Sequence, residues 1–453
     1  MIVRIKWVFA LFILISACAV KAQTQGILSG RGQELYASYY NPASLILDPE
    51  KKWVANLFAT ESVISANTAS FTPGKFRGKD FFRGNILRTS NSSTGFGEIS
   101  LRGPAFGLYI NKRATIAIKT NARLTANFWD INGRLISEIG ELTKIEHEYP
   151  YSIAKGDMQI NTTVYTDLTV SLSYMLWETP GHTLNGGIAL KFVNGTAHSS
   201  IELSDFTGSI RRSRNDLPYL ANSSGFVSTN TSGRLLSDFN LANLINPRKP
   251  GVGGDIGLIY KYSRRGHHLT LGISVTDIGR ISYSADPKFS KSYNISIAND
   301  EGLYFNNNFQ NSSFSETTRQ FDKYPEFFNN TSEDNKNVSI GLPTKLRIQT
   351  DYGVSKSVSI NIDGAVSLRR KRIISDLYSP SGLAITPRWQ HNSTTLFIPL
   401  SCQEFSGFSA GLALKMGCFF IGSSSVLSAL AGAKQIDFNF GVLVSPKNKT
   451  SKQ

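Results

Sequence analysis

An alternation of apolar and polar residues dominates this chain. Even positions from Ile116 to Phe128 are mostly apolar while the odd positions are mostly polar, and the same pattern returns at 164–174 and 358–368. A period of two places one set of side chains on each face of a strand. These runs are about twice as long as strands of soluble sheets and match the roughly 9 to 11 residues that cross a bilayer at a tilt. Their polar positions should line a lumen: Lys119, Asn121, Arg123, Asp167, Asn361 and Asp363.

Similar strands recur along the whole chain, near residues 52–66, 96–111, 114–129, 160–176, 183–202, 255–263, 268–284, 342–353, 357–370, 380–389, 395–403, 406–416, 418–424 and 435–445. That count, about 14, is even, as single-chain bacterial barrels require. Short turns alternate with long connections at 67–95, 130–159, 203–254 and 285–341. Outer-membrane barrels have short periplasmic turns and long outer loops. We therefore predict an all-β fold, a transmembrane antiparallel up-and-down barrel with both termini in the periplasm.

Two features of the outer end can be predicted in more detail. Leu135, Ile139, Leu142 and Ile145 keep helical spacing and predict a short helix over the barrel mouth. The connection 285–341 is rich in Asn, Ser and Phe, and either folds inward or stays mobile. The tryptophans are expected in interfacial belts, at periplasmic strand ends for Trp53, Trp177 and Trp389 and at an outer end for Trp129.

The first 22 residues predict an export signal. Arg4 and Lys6 precede an apolar run that ends near Val20, shorter than the roughly 20 residues of a membrane-spanning helix. Two cleavage sites compete: one follows Ala22, and the other is a lipoprotein-like box that would leave Cys18 lipidated. We favour cleavage after Ala22, because small-x-small sites are the common case.

Excess positive charge predicts an anionic partner. The chain carries 48 Lys and Arg against 33 Asp and Glu. Lipopolysaccharide phosphates are the expected partner, because an exported chain rarely meets nucleic acid and no nucleic-acid motif occurs. Arg369, Arg370, Lys371 and Arg372 end a strand at the predicted outer rim. They form either a solvated edge or a contact with lipopolysaccharide phosphates.

One stretch matches a catalytic motif. Gly407 to Gly411 fits G-x-S-x-G, but a nucleophile elbow needs a strand-turn-helix context, and the alternation here predicts a plain strand with Ser409 facing the lumen. The six histidines have no metal-ligand spacing. Cys402 and Cys418 are interpreted as small wall residues, with a disulfide as the alternative. We expect no enzyme activity, no metal and no cofactor.

The alternation breaks in the second predicted strand. Ile99 and Leu101 place odd positions on the lipid-facing side, whereas Phe106 places even positions there. A one-residue slip exchanges the faces of a strand, so a bulge is needed at Gly103-Pro104. Proline lacks a ladder donor and glycine lacks side-chain cover. The bulge either adjusts curvature only or opens a lateral gap between strands.

Several stretches of the chain resemble known families. Residues 37–47, ASYYNPASLIL, resemble the start of FadL-type transporters of hydrophobic compounds and their PorV-like relatives, and here the motif is Asn41-Pro42-Ala43. Other stretches are similar to an uncharacterised outer-membrane barrel family, known only as a domain of unknown function: LRGPAF at 101–106, DIGLIY at 255–260, DIGRI at 277–281, GLPT at 341–344 and GSSSVL at 422–427. The resemblance implies an N-terminal plug in the lumen and passage of apolar molecules.

The expected organisation is a signal peptide at 1–22, a plug segment at 23–51, a barrel at 52–445 and a polar tail at 446–453. The plug is short for the transporter pattern, and the chain lacks a terminal aromatic residue. Two functions stay open. One is a passive channel or binding protein for small hydrophobic molecules. The other is a structural or interaction barrel with a surface or periplasmic protein partner, such as a secretion or attachment accessory without transport activity.

Overall fold

A computed structural model describes residues 34–46, 52–72, 92–140, 148–233, 250–264, 267–305, 314–332 and 337–444. The strands in these ranges are β1 (Trp53–Ala66), β2 (Ser93–Asn111), β3 (Ala114–Ile131), β4 (Tyr151–Ile153), β5 (Met158–Thr179), β6 (His182–Arg212), β7 (Pro218–Ser232), β8 (Pro250–Arg264), β9 (His267–Ser284), β10 (Ser292–Ile297), β11 (Leu303–Tyr304), β12 (Phe328–Asn330), β13 (Asn337–Gly341), β14 (Lys345–Gly353), β15 (Val358–Ser367), β16 (Gly382–His391), β17 (Thr394–Phe397), β18 (Leu400–Gln403), β19 (Gly407–Ala410), β20 (Leu412–Met416), β21 (Phe419–Ser423) and β22 (Gln435–Val444). The helices are α1 (Glu34–Ala37), α2 (Gly133–Gly140), α3 (Phe314–Lys323) and α4 (Val426–Ala429), with a 3-10 turn at Pro42–Ser44.

These strands form a closed antiparallel barrel with 14 wall strands. The wall runs through β1, β2, β3, β5, β6, β8, β9, β14, β15 and β16, then through β17 with β18, β19 with β20, β21 and β22. The barrel closes where β22 pairs with β1, from Ala55 opposite Val444 to Ser65 opposite Gln435. Closure leaves no free sheet edge in the wall, which a membrane-spanning sheet requires.

The two faces of the wall follow the predicted alternation. Ile118, Leu168 and Val366 are exposed on the outside, and the outward apolar side chains form a belt around the barrel. Their neighbours along the strands are polar and buried inside the lumen, as Thr169 and Ser171 are on β5. No helix among the described residues is long and apolar enough to cross a membrane. The predicted barrel architecture is therefore confirmed, and its outward apolar belt is that of a membrane-spanning barrel.

The outer end contains more regular structure than the sequence predicts. Strand β6 continues beyond the predicted limit of residue 202 to Arg212 and turns into β7, which pairs with β10 and β11. Much of the connections 203–254 and 285–341 is therefore folded into a small outer sheet with helix α3. For the connection 285–341 the sequence predicts either inward folding or mobility. The strands found in its described residues correspond to neither.

The helix and the tryptophan belts agree only in part with the predictions. Helix α2 includes the predicted Leu135 and ends at Gly140, whereas Leu142 and Ile145 lie outside the described residues. Trp53, Trp177 and Trp389 are 36%, 48% and 50% exposed at the short-turn end. Trp129 is buried, and its ring packs against Tyr378 and Phe405. Its predicted place in an outer belt is therefore wrong.

Candidate functional site

The N-terminal segment, here residues 34–46, lies inside the lumen at the short-turn end. Leu35, Tyr36 and Leu45 are fully buried. The turn at Pro42–Ser44 begins after Asn41, whose side chain accepts a hydrogen bond from Ala43 N at 3.0 Å. Asparagine is a preferred N-cap and proline suits the first position of a turn. The motif is thus a compact turn that seats the segment.

Two glycines in the wall make room for this turn. Gly187 on β6 and Gly257 on β8 are cross-strand neighbours. A Cβ atom at Gly187 would lie 2.2 Å from Ala43 N, and one at Gly257 would lie 2.1 Å from Asn41 Oδ1. Asn41 Nδ2 donates to the carbonyls of Leu258 and Ile273, at 3.2 and 3.3 Å. This seat was not predicted from the sequence; a pair of glycines at lumen-facing positions of adjacent strands was the available signal.

Three tyrosines of the segment surround one guanidinium group. The Cζ of Arg102 lies 4.9, 4.8 and 4.6 Å from the ring centroids of Tyr36, Tyr39 and Tyr40, within cation–π distance. Arg102 also pairs with Glu61, whose carboxylate accepts a hydrogen bond from Tyr40 Oη at 2.9 Å. Burial raises the pKa of all three phenols although Arg102 acts in the opposite direction, so they remain protonated.

Strand β3 holds the other side of the segment. Lys119 Nζ donates to the carbonyl and hydroxyl oxygens of Ser38, at 2.8 and 3.2 Å. Tyr39 Oη donates to the carbonyl of Thr120 at 3.3 Å. The segment therefore contacts the wall through hydrogen bonds as well as apolar packing.

A layer of buried charges crosses the lumen next to this segment. Lys191 pairs with Asp255 and with Asp277, and Arg123 pairs with Asp277 at 2.7 Å. Mutual pairing offsets the cost of burying these ions. Paired, buried charges therefore occupy this level of the lumen.

The remaining predicted lumen residues are also buried. Asn121 Nδ2 donates to Asp167 Oδ2 at 3.2 Å. Asn361 and Asp363 lie on β15, at 2% and 1% exposure, and do not take part in the ion pairs of the charge layer. Four of the six predicted residues are thus close together near the N-terminal segment, and two are apart from them.

The connection 368–381 folds into the lumen from the outer end. Asn127 holds Tyr378 by two hydrogen bonds, donating to its carbonyl at 2.6 Å and accepting from its N–H at 3.1 Å. Arg369 donates to the carbonyls of Leu342 and Gly279 at 2.7 and 2.8 Å. A pocket of about 340 Å³ lies beside this loop and includes Glu202 and Arg372 in its lining. The outer opening is thus narrowed by an anchored loop.

The four basic residues predicted at the outer rim do not act as one set. Arg369 anchors the inward loop, Lys371 pairs with Glu404, and Arg372 pairs with Asp130 at 2.6 Å. Arg370 is exposed and makes no ion pair with any described residue. Of these four residues, Arg370 is the one without an ionic partner in the described part of the chain.

A one-residue register shift lies at Gly103-Pro104. Strands β2 and β3 pair Arg102 with Asn121 and then Ala105 with Lys119, so β2 has one extra residue. Pairing of β1 with β2 is also interrupted at this level, between the pair Asn56–Ala105 and the pair Ala59–Arg102. Thr120 Oγ1 donates to the carbonyl of Pro104 at 3.0 Å. A side-chain hydrogen bond therefore joins β2 and β3 at the bulge, beside the point where Tyr39 contacts Thr120.

The other chemical candidates have structural roles. Ser409 is 1% exposed on the inward face of β19, so its surroundings are a strand and not an elbow. Both thiols, Cys402 and Cys418, are free. Within the described residues, no three His, Cys, Asp or Glu side chains are grouped to hold a metal ion.

Comparison with protein families identifies the chain. A model of a family of unknown function, DUF5723, matches residues 49–424. The chain belongs to this family. No curated protein matches its sequence. Among solved structures, a Pseudomonas aeruginosa FadL homologue is similar at 12% identity and a TM-score of 0.45, with 94% of this chain and 99% of that chain covered.

Two toluene transporters are also similar to this DUF5723 member. TodX of P. putida has 9% identity and a TM-score of 0.43, with 90% and 92% of the two chains covered. TbuX of Ralstonia pickettii has 11% identity and a TM-score of 0.39, with 91% and 94% covered. These likenesses concern architecture alone.

Proposed function

We propose that this barrel is a passive channel or binding protein for small hydrophobic molecules. The N-terminal segment acts as its plug, and Gly103-Pro104 acts as a side exit into the membrane. The observation that carries the proposal is the position of the bulge. Pairing of β2 with β1 and with β3 is interrupted at Gly103-Pro104. At the same level, Tyr39 of the plug contacts Arg102 and Thr120 of the wall.

The interior beside the bulge is suited to an apolar molecule. Leu35 and Leu45 of the plug pack with Val54, Ala105 and Ala117 of the wall in one apolar cluster. A small movement of the plug would expose this cluster to the lumen. An apolar molecule held there lies close to the lipid-facing surface at Phe106.

A straight path along the barrel axis is unfavourable for such a molecule. The plug stands between the bulge and the short-turn end, and its Leu35, Tyr36 and Leu45 are fully buried. Leaving by that end would require the plug to give up its hydrogen bonds to β3 and β8. A sideways route at the bulge avoids this loss.

The domain limits remain part of this proposal. Residues 34–46 support the plug within 23–51 because they are buried against the wall. The signal peptide at 1–22 and the tail at 446–453 lie outside the described residues and stay predictions. Lipidation of Cys18, the alternative to cleavage after Ala22, also stays a prediction.

Uptake measurements test the proposed function. Cells that display the protein and cells without it are given a labelled long-chain fatty acid, with a labelled sugar as the polar control. We expect saturable, barrel-dependent uptake of the fatty acid and equal sugar uptake in both cells. Equal fatty-acid uptake in both cells would reject the proposal.

An interaction barrel is the second candidate, and the packed lumen favours it. The plug, the charge layer and the inward loop fill successive levels, and the outer connections are folded into a sheet. In this case a surface or periplasmic protein would bind the folded outer end or the turns. Absence of any uptake, together with capture of one defined partner by the intact barrel, would support this candidate.

Lipopolysaccharide contact at the rim is proposed for Arg370, which is exposed. The other three basic residues have partners within the protein. Arg370→Ser should lower the amount of lipopolysaccharide that co-purifies, whereas an Arg→Lys change at this position should not.

A further inference from the structure

An apolar cavity lies at the outer end of the protein, apart from the lumen. Its volume is about 210 Å³, and every described residue of its lining is apolar, among them Leu135, Ile160, Ile201, Leu220, Phe305 and Phe321. A cavity without polar groups suits hydrocarbon and offers no partner for water.

Strand register places this cavity on the lipid-facing side of the wall. Asn161 on β5 points inward and donates to the carbonyl of Ile374 in the inward loop at 2.8 Å. Ile160, its neighbour, therefore points outward. Ile160 pairs with Ile201 and Met158 pairs with Leu203 across β5 and β6, so these cavity residues share the outward face.

Outer elements cover this face and make a built site. Leu135 of α2 is 2% exposed, Phe305 is 2% exposed, and Phe321 of α3 is 8% exposed. Asn132 fixes the start of α2, because its side chain accepts a hydrogen bond from Leu135 N at 3.1 Å. A hydrogen bond at its first turn thus holds helix α2, one of the covering elements, in place.

The cavity continues the membrane-facing surface of β5. Ile160 forms part of its lining and is itself 36% exposed. Further along the same face, Leu168 and Leu172 are 44% and 37% exposed, in the lipid-facing belt. An apolar chain could therefore pass between the lipid-facing belt and the cavity without crossing the lumen.

We propose that this cavity binds the alkyl chain of an amphiphile that comes from the outer leaflet. The apolar lining accepts the chain only, so the polar head group stays outside at the membrane surface. This site is separate from the plug and the bulge, and it does not depend on passage through the lumen.

A chain-length series tests the site. The full barrel, held in an amphipathic polymer instead of lipid, is titrated with saturated fatty acids short enough to stay monomeric. We expect each added methylene to tighten binding roughly fourfold until the cavity is full. Leu220→Trp, which fills the cavity, should abolish this gain.

Two further variants make the result specific. Leu168→Trp is the matched control on the open lipid-facing surface, and binding should be unchanged. Ile136→Trp is a second filling variant on the partly exposed helix α2, and replaces Leu220→Trp if that protein does not fold. A chain-length gain that is the same in the unchanged protein and in the folded filling variants would overturn the proposal, because binding in the lumen contributes equally to both.

A photoreactive lipid tests where the ligand comes from. A phospholipid with a diazirine near the end of its acyl chain is reconstituted with the barrel. Crosslinks are expected on segments that contain Ile136, Leu303 and Phe321. Crosslinks confined to the open lipid-facing strands would overturn loading from the leaflet, whatever the uptake measurements show for the lumen.

Discussion

At the scale of single residues, close approach between the plug and the wall depends on Gly187. A Cβ atom there would meet the backbone of Ala43, which cannot shift as a side chain can. Overpacking costs about 1–3 kcal/mol, a shift of roughly 5- to 150-fold in the equilibrium between seated and released plug. Gly187→Ala should therefore raise maleimide labelling of a cysteine placed at Ser44, which is 7% exposed.

Gly186→Ala is the matched control for this substitution. A Cβ atom at Gly186 would meet only the flexible side chain of Leu176, at 3.0 Å. Maleimide labelling of the cysteine placed at Ser44 should stay at the level found when neither glycine is substituted. Equal labelling in both variants would show that the glycine seat does not hold the plug.

The buried pair of Arg102 and Glu61 makes a second prediction at this scale. Arg102→Ala removes one partner and leaves the Glu61 carboxylate buried without its cation, which costs about 3–5 kcal/mol. The double variant Arg102→Met with Glu61→Gln should lose much less, because no charge is left unpaired. Urea unfolding of the barrel in liposomes measures the free energy; equal losses in the single and double variants would contradict the pairing.

At the scale of elements, the inward loop depends on Arg369. Its hydrogen bonds to two carbonyls are charge-assisted, and such bonds contribute about 1.5–3 kcal/mol each. Arg369→Ala should release the loop and speed trypsin cleavage at residues 370–372 on intact cells by roughly tenfold or more. Arg370→Ala, at an exposed position, should leave cleavage at Lys371 unchanged, and faster cleavage in both variants would argue against the anchor.

The elements of the membrane wall could be predicted from the sequence, because lipid and lumen impose opposite polarity on alternate residues. The bulge could be predicted for the same reason, since Ile99 and Phe106 face lipid in different phase. The outer half of β6 could not. Residues after Leu203 are mostly polar, so alternation does not mark them as a strand. They are paired through a hairpin with β7, in which Arg212 lies opposite Pro218.

The candidate site could be predicted only in part. Alternation places Lys119 and Arg123 in the lumen, yet it does not identify their partners, Ser38 and Asp277. Trp129 follows the same rule, because its odd position faces the lumen. Its aromatic character suggested a membrane belt, but packing against Tyr378 from the inward loop determines its place.

At the scale of the whole molecule, the even number of strands and the alternation of short turns with long connections predict the orientation of the barrel. A cysteine at Asn222, exposed on β7 of the outer sheet, should react with an impermeant maleimide on intact cells. One at Lys112, in the short turn between β2 and β3, should react only after the outer membrane is opened. The reverse pattern would show that the barrel is inserted the other way.

Lateral exit of an apolar molecule at the bulge is the step on which the proposed function depends. Replacing Gly103-Pro104 with Val-Thr would restore side-chain cover and a ladder donor. Gly364→Val is the matched control, because a Cβ atom there makes only ordinary contacts, the nearest at 3.7 Å. At equal surface levels, uptake of a labelled long-chain fatty acid should fall to that of barrel-free cells in the Val-Thr variant and remain normal in Gly364→Val. Undiminished uptake by the Val-Thr variant would contradict lateral exit.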